Sequence, residues 1–196
     1  MWVVYDTSIE QFTLSAAHDV STASSDGTWT LGTYLRDIRF NDDGTKIYIV
    51  DISPDDIFQY SLTTAYDITG TKSLDGTETV GPVNCSSILF NDDGSKLYYG
   101  QQNSSIYVKN LGTPYDITTN VSSGTTVAWD SSANAGNYEP VDMFFNANGT
   151  KLFILHAESA SPYHKFLSEF TSGSTNAFNA ADVGKKVVGN SGSAII

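Results

Sequence analysis

Asp37, Ser87, Asp142 and Ser193 fall at one equivalent position when the sequence is laid over its own repeats. Two carboxylates and two hydroxyls brought to a common axis, with nearby carbonyl oxygens, would suit a hard cation such as calcium or sodium. Asp37 and Asp142 are the metal candidates of that set; the structural alternative is that all four cap strand ends or line a wet channel. A second constellation is His156, Glu158 and His164, two imidazoles and a carboxylate of the kind that hold zinc. It lies with Pro162 and Tyr163 in a stretch expected to form a surface loop, where His156, Tyr163 and His164 are the expected contacts for a ligand or receptor. The sequence carries no nucleophile elbow, hydrolytic triad or phosphate-cradling glycine loop. The acidic pairs Asp42-Asp43, Asp55-Asp56 and Asp92-Asp93 are expected to be solvated in turns. No catalytic residue is assigned, and no cofactor beyond an axial calcium or sodium is expected.

The elements that would position these residues repeat. Phe40 to Tyr48 reads Phe-Asn-Asp-Asp-Gly-Thr-Lys-Ile-Tyr, Phe90 to Tyr98 repeats it with two conservative changes, and Phe145 to Phe153 follows it loosely. The turn glycines Gly44, Gly94 and Gly149 lie 50 and 55 residues apart, a period of the kind that marks repeat architectures. An apolar run, a polar turn with glycine at the left-handed position and a second apolar run describe a hairpin. The turns lack the ligand spacing of a calcium loop.

A second phrase recurs as Ile9 to Leu14, Ile57 to Leu62 and Ile106 to Leu111, each read as a strand. It leads to an aromatic-Asp-aliphatic-Ser/Thr group at His18-Asp19-Val20-Ser21, Tyr66-Asp67-Ile68-Thr69 and Tyr115-Asp116-Ile117-Thr118, where the aspartates are 48 and 49 residues apart. Aspartate is expected to bond the turn backbone and the aromatic to pack over the sheet edge. A fourth run closes most copies, at Thr28 to Leu31, Thr77 to Val80 and Thr125 to Trp129, with a weaker match at Lys185 to Val188. In the fourth copy the Tyr-Asp phrase is replaced by Asn176 to Asn179.

Four strands per unit of about 50 residues predict an all-β fold, a β-propeller of four blades with about four antiparallel strands each. Ile47-Tyr48-Ile49-Val50 is apolar on both faces, as a sheet sandwiched between neighbours requires. Met1 enters at a second strand, Trp2 to Tyr5, and Ser193 to Ile196 aligns with a first strand. The C-terminal strand is therefore expected to join the N-terminal blade and close the ring. The chain reads as one propeller domain, 1–196, with units at approximately 1–31 plus 193–196, 32–80, 81–130 and 131–192.

Composition narrows the partners. With 40% apolar residues the chain can bury a core, and with ten Lys and Arg and a net charge of −12 it has no basic cluster to track a phosphate backbone. Neither nucleic acid nor membrane insertion is expected, and no apolar run approaches the roughly 18 residues of a span. Cys85 is the one cysteine, so no intrachain disulfide forms.

With Phe-Asn-Asp-Asp-Gly-Thr-Lys-Ile-Tyr and Leu-Thr-Thr-Ala-Tyr-Asp-Ile-Thr in view, the chain resembles β-propeller repeat proteins of bacteriophage virions, tail and fibre components among them; related repeats occur in bacterial surface proteins. The resemblance covers the first three units well and the fourth in part. It implies a non-enzymatic virion structural or attachment module, such as a tail, fibre or decoration component, that presents loops to a host surface or to neighbouring subunits. Other virion or surface proteins, and a host-surface glycan or protein, are the partners it implies, within a larger assembly. The virion is the implied location, with the bacterial cell surface or secretion as the alternative. Two alternative functions stand beside it: a bacterial extracellular adhesion or filament subunit, and a propeller-based glycan-active enzyme.

Overall fold

The computed structural model describes residues 1–32, 34–81, 84–102, 106–121, 125–127, 138–158 and 165–171. Its architecture is all-β, with two short 3-10 turns at Val20–Thr22 and Ile117–Thr119. No helix among the described residues is long and apolar enough to cross a membrane. The chain divides into two compact units, Met1–Cys85 with Tyr115–Thr118, and Ser86–Pro114 with Thr119–Ile196.

In the first unit, β1 (Trp2–Val4), β2 (Ser8–Leu14) and β3 (Ala23–Thr30) form one sheet, and β4 (Leu35–Phe40), β5 (Lys46–Asp51), β6 (Asp56–Leu62) and β7 (Lys72–Thr79) form another. Each strand pairs antiparallel with its neighbours in sequence. After Lys46 every residue of β5 is buried, which is the two-faced burial that its unbroken apolar run predicts. Ile9, Leu35, Ile47, Ile49, Leu62 and Ile68 form the core, with Trp2, Trp29 and Phe40 against its edge.

The Asn-Asp-Asp-Gly turn follows its predicted chemistry. Gly44 sits at φ +70°, and a Cβ there would lie 2.3 Å from the Tyr66 ring, so two constraints demand glycine at once. Asp43 accepts the Thr45 amide at 2.9 Å, and Asn41 accepts the Lys46 amide at 2.8 Å. Strands β3 and β7 begin earlier than the expected runs at Thr28 and Thr77. The reason is a β-bulge, since the register of β2 with β3 shifts between Gln11 and Phe12, and that of β6 with β7 between Gln59 and Tyr60. Asp26-Gly27 and Asp75-Gly76 lie at these shifts, so an Asp-Gly pair that could signal a turn here lets the strand continue.

The second unit holds β8 (Cys85–Phe90), β9 (Lys96–Gln101), β10 (Ile106–Asn110) and β11 (Thr125–Val127) in one sheet, and β12 (Tyr138–Phe145), β13 (Lys151–Glu158) and β14 (Lys165–Thr171) in another. Its core is Tyr98, Ile106, Met143, Leu152 and Ile154. The Ser86 and Ser87 hydroxyls both donate to the Pro140 carbonyl, at 2.8 and 2.9 Å. A Cβ on Gly100 would meet the Pro140 ring at 2.4 Å. Pro140 itself borders a bulge, one of the few places in a sheet that tolerate a residue without an amide hydrogen.

Candidate functional site

Each sequence-predicted metal candidate has local contacts of its own. Asp37 and Asp142 each follow a bulge, and each turns one carboxylate oxygen back on the next amide, Ile38 and Met143, both at 2.8 Å. Asp37 also pairs with Arg39 at 3.6 Å. These are the local contacts of the strand-end alternative. Ser87 is committed to the Pro140 carbonyl, and Ser193 lies outside the described residues. Among the described residues no three of His, Cys, Asp and Glu gather closely enough to hold a metal ion.

His156 requires a correction. It is not a loop residue but part of β13, paired with Pro140 on one side and Phe166 on the other, and it is only 1% exposed. The run Lys151 to Ala157 alternates half-buried and buried residues, so the strand continues through the stretch read as loop, and a ring in that position cannot present itself to a receptor. Glu158 ends the same strand. Tyr163 and His164 lie outside the described residues.

A different cluster emerges at the β5–β6 turn. Asp51 ends β5 and Asp56 begins β6 as cross-strand partners, with Asp55 beside them. One oxygen each of Asp51, Asp55 and Asp56 is buried with no hydrogen-bond partner among the described residues. Asp51 is fully buried, and its other oxygen accepts the amides of Tyr34 at 3.2 Å and Ser53 at 2.9 Å. Burial raises the Asp55 carboxyl above its usual range, and the charges of Asp56 and Asp51 raise it further. Desolvation and like charge thus act in the same direction on one group.

Backbone strain singles out the same residue. Four non-glycine residues among those described have positive φ: His18 at 63°, Tyr66 at 61°, Tyr115 at 56° and Asp55 at 70°. The first three are the aromatic of the recurring aromatic-Asp phrase, which is a fold device, and Asp55 stands outside that phrase. Strained non-glycine backbone clusters at active sites and ligand clamps. Sequence reasoning placed Asp55-Asp56 in a solvated turn. It missed Asp51, whose burial depends on how β4 and the β5–β6 turn close over it.

Chain direction places more groups at this end of the unit. The β1–β2 turn and the entry to β4 lie here too, because Asp6 accepts the Leu35 amide at 2.8 Å and Tyr34 accepts the Ile52 amide at 3.0 Å. The hairpins of the Asn-Asp-Asp-Gly type occupy the opposite ends of their sheets. In the second unit a cleft of about 280 Å³ opens at such an end, lined by residues that include Asn91, Asp93, Lys96, Tyr98 and Asn148. Its polar rim is already engaged in turn bonds: Asn91 accepts the Lys96 amide at 2.8 Å and Asp93 that of Ser95 at 2.9 Å.

No family model matches the chain, and neither does any curated protein. Solved structures do. A protein of Bacteroides fragilis provisionally assigned as a 6-phosphogluconolactonase matches at 16% identity and TM-score 0.58, covering 93% of this chain and 49% of its own. The periplasmic gluconolactonase of Pseudomonas aeruginosa matches at 13% identity and TM-score 0.60, covering 88% and 48%. Hydrazine synthase of Kuenenia stuttgartiensis matches at 14% identity and TM-score 0.55, covering 84% and 40%. At such identities the likeness shows the fold, all-β and of the propeller type, and the printed activities belong to the neighbours. This chain spans about half the length of the solved lactonases it matches.

These neighbours correct the functional expectation. The chain was expected to be a non-enzymatic virion structural or attachment module, a viral tail or fibre component and no enzyme. The solved structures that share its fold over most of its length are instead named as enzymes, two of them lactonases.

Proposed function

We propose that this chain forms part of a propeller-based hydrolase that opens sugar-derived lactones, with Asp55 as its proton-transfer group. The observation that carries the reading is the set of three buried carboxylate oxygens, on Asp51, Asp55 and Asp56, left without hydrogen-bond partners among the described residues. A buried polar group without a partner calls for an explanation, and a working site is one. The lactonase neighbours supply the substrate class.

In the proposed reaction the Asp55 carboxylate takes a proton from water as the water oxygen bonds to the lactone carbonyl carbon. The same proton then passes to the ring oxygen as the carbon–oxygen bond of the ring breaks, leaving a hydroxy acid. A carboxyl with a raised pKa is the better base for the first step and keeps its proton long enough for the second. Asp51 and Asp56 serve by keeping negative charge next to Asp55.

Closure of the sheets into a four-bladed ring, with Ser193 to Ile196 joining β1, belongs to the same proposal. It is supported by β1 having β2 as its one paired strand among the described residues, whereas the sheet of β4 to β7 has its full four.

The test is the hydrolysis of D-glucono-1,5-lactone, followed by acid release against the spontaneous rate. The protein should open the lactone, Asp55→Asn should lower kcat/KM by about 10²-fold or more, and Asp37→Asn should leave it unchanged. Acid release no faster than in buffer, or full activity in Asp55→Asn, overturns the reading.

A further inference from the structure

We infer that Tyr34 is the platform on which the ring of the sugar-derived substrate lies, an inference that rests on the proposed lactone chemistry at Asp55. Tyr34 is 58% exposed, yet its backbone is fixed on both sides. Its amide donates to the buried Asp51 carboxylate at 3.2 Å, its carbonyl accepts the Ile52 amide at 3.0 Å, and the following amide, Leu35, donates to Asp6 at 2.8 Å.

That combination is unusual for an exposed side chain. A tyrosine on a loose surface loop loses conformational freedom when it binds a ligand, whereas one whose backbone is already pinned loses little. The pin is also specific in kind, because the group that holds the Tyr34 amide is the same carboxylate that raises the proton affinity of Asp55. The Tyr34 backbone and Asp55 therefore share one neighbour, Asp51. An exposed, flat aromatic suits a carbohydrate, since its face can cover the apolar C–H side of the sugar ring. A small polyhydroxylated ring, rather than a long-chain or aromatic lactone, is the class this arrangement fits.

The experiment separates positioning from chemistry. Hydrolysis of D-glucono-1,5-lactone and binding of D-glucono-1,5-lactam, a ring that water does not readily open, are measured on the full chain and on Tyr34→Ala, Tyr34→Trp and Asp55→Asn. Tyr34→Ala is expected to raise KM and the lactam Kd by about 5- to 10-fold with kcat within about twofold. Tyr34→Trp should restore both, which a merely structural role would not do, and Asp55→Asn should lower kcat far more than it changes the lactam Kd. If lactone is opened in an Asp55-dependent way but Tyr34→Ala changes neither KM nor Kd, the platform is overturned while the proposed function stands. If the lactam binds in a Tyr34-dependent way but no lactone is opened, the hydrolase reading falls and the platform stands. If the protein neither binds nor hydrolyses, both are overturned.

Discussion

The amide of Ile117 donates to Oε1 of Gln59 at 2.9 Å across 58 residues of chain. The same bond joins Ile68 to Gln11, also at 2.9 Å. Each glutamine is held in turn by an aspartate at the bulge of the last strand, with Gln59 donating to Asp75 at 3.0 Å and Gln11 to Asp26 at 3.3 Å. Aspartate, glutamine and turn amide thus form a repeated clasp. Ile117 and Ile68 are buried, so neither amide has water as a substitute.

Gln59→Leu should therefore cost about 1–3 kcal/mol, because it strands a buried amide rather than simply deleting a contact. Gln11→Leu should cost a similar amount. A lower urea midpoint with an unchanged m-value is the expected result. Stability equal to wild type in both variants would mean that the clasp contributes nothing.

Gly76 and Gly27 meet the methyl of the incoming threonine at different distances. A Cβ on Gly76 would lie 2.4 Å from Thr118 Cγ2, and one on Gly27 3.1 Å from Thr69 Cγ2, with Gly27 at φ +155°. Gly76→Ala should destabilise by about 1–3 kcal/mol through overpacking. Adding Thr118→Ser should recover part of that loss, since it removes the methyl and keeps the hydroxyl that donates to Asp116 at 2.6 Å. An additive double mutant would place the cause elsewhere.

Asp55 couples stability to pH in a direction that can be worked out. Its pKa is raised from the usual 3.8 in the folded chain, so between 3.8 and the raised value the folded state holds more protons than the unfolded state. Its contribution to stability is present below 3.8, is lost as pH rises through that window, and stays lost at neutral pH. Asp55→Asn removes this loss and suits the left-handed backbone equally well. A higher Tm at neutral pH is expected, together with the loss of hydrolysis already described, the trade expected of a working residue. A lower Tm would show that Asp55 serves the fold.

The turn aspartates act in the opposite sense. Hydrogen bonds from Thr69 and Thr45, side chain first and then amide, hold the Asp67 and Asp43 carboxyls below the usual 3.8. Ser95 does the same for Asp93. Their contribution is full above 3.8 and is lost as pH falls through the lowered values. Asp67→Asn keeps an acceptor for Thr69 but cannot be protonated in this range, so Tm should fall less steeply with acid than in wild type. An identical acid profile would exclude Asp67 from that response.

Most of the scaffold was legible because it repeats. Gly44, Gly94 and the Tyr-Asp phrases recur at a near-constant interval, and local turn chemistry explains each without reference to distant residues. What escaped was long-range. Gln11 and Gln59 look like ordinary polar positions of half-buried strands until the turns they hold are brought to them. Asp26-Gly27 has the composition of a turn, and only pairing with β2 shows it to be a bulge. His156 was assigned to a loop because the fourth copy is longer than the others, whereas the extra length leaves β13 intact to Glu158. The carboxylate site was invisible for a related reason. Asp55-Asp56 is a common turn pair, and what distinguishes it, the burial of Asp51 beneath the Tyr34 amide, belongs to tertiary structure.

The residues that complete the first unit, Tyr115–Thr118, are encoded well after its last strand, β7. A ribosome that has released β7 has not yet supplied the amide that Gln59 accepts or the carbonyl oxygen to which the Tyr48 hydroxyl donates. The nascent unit must wait with these two groups wet until the next sheet has begun to emerge. Translation order alone thus delays its final consolidation until Ile117 has been synthesised.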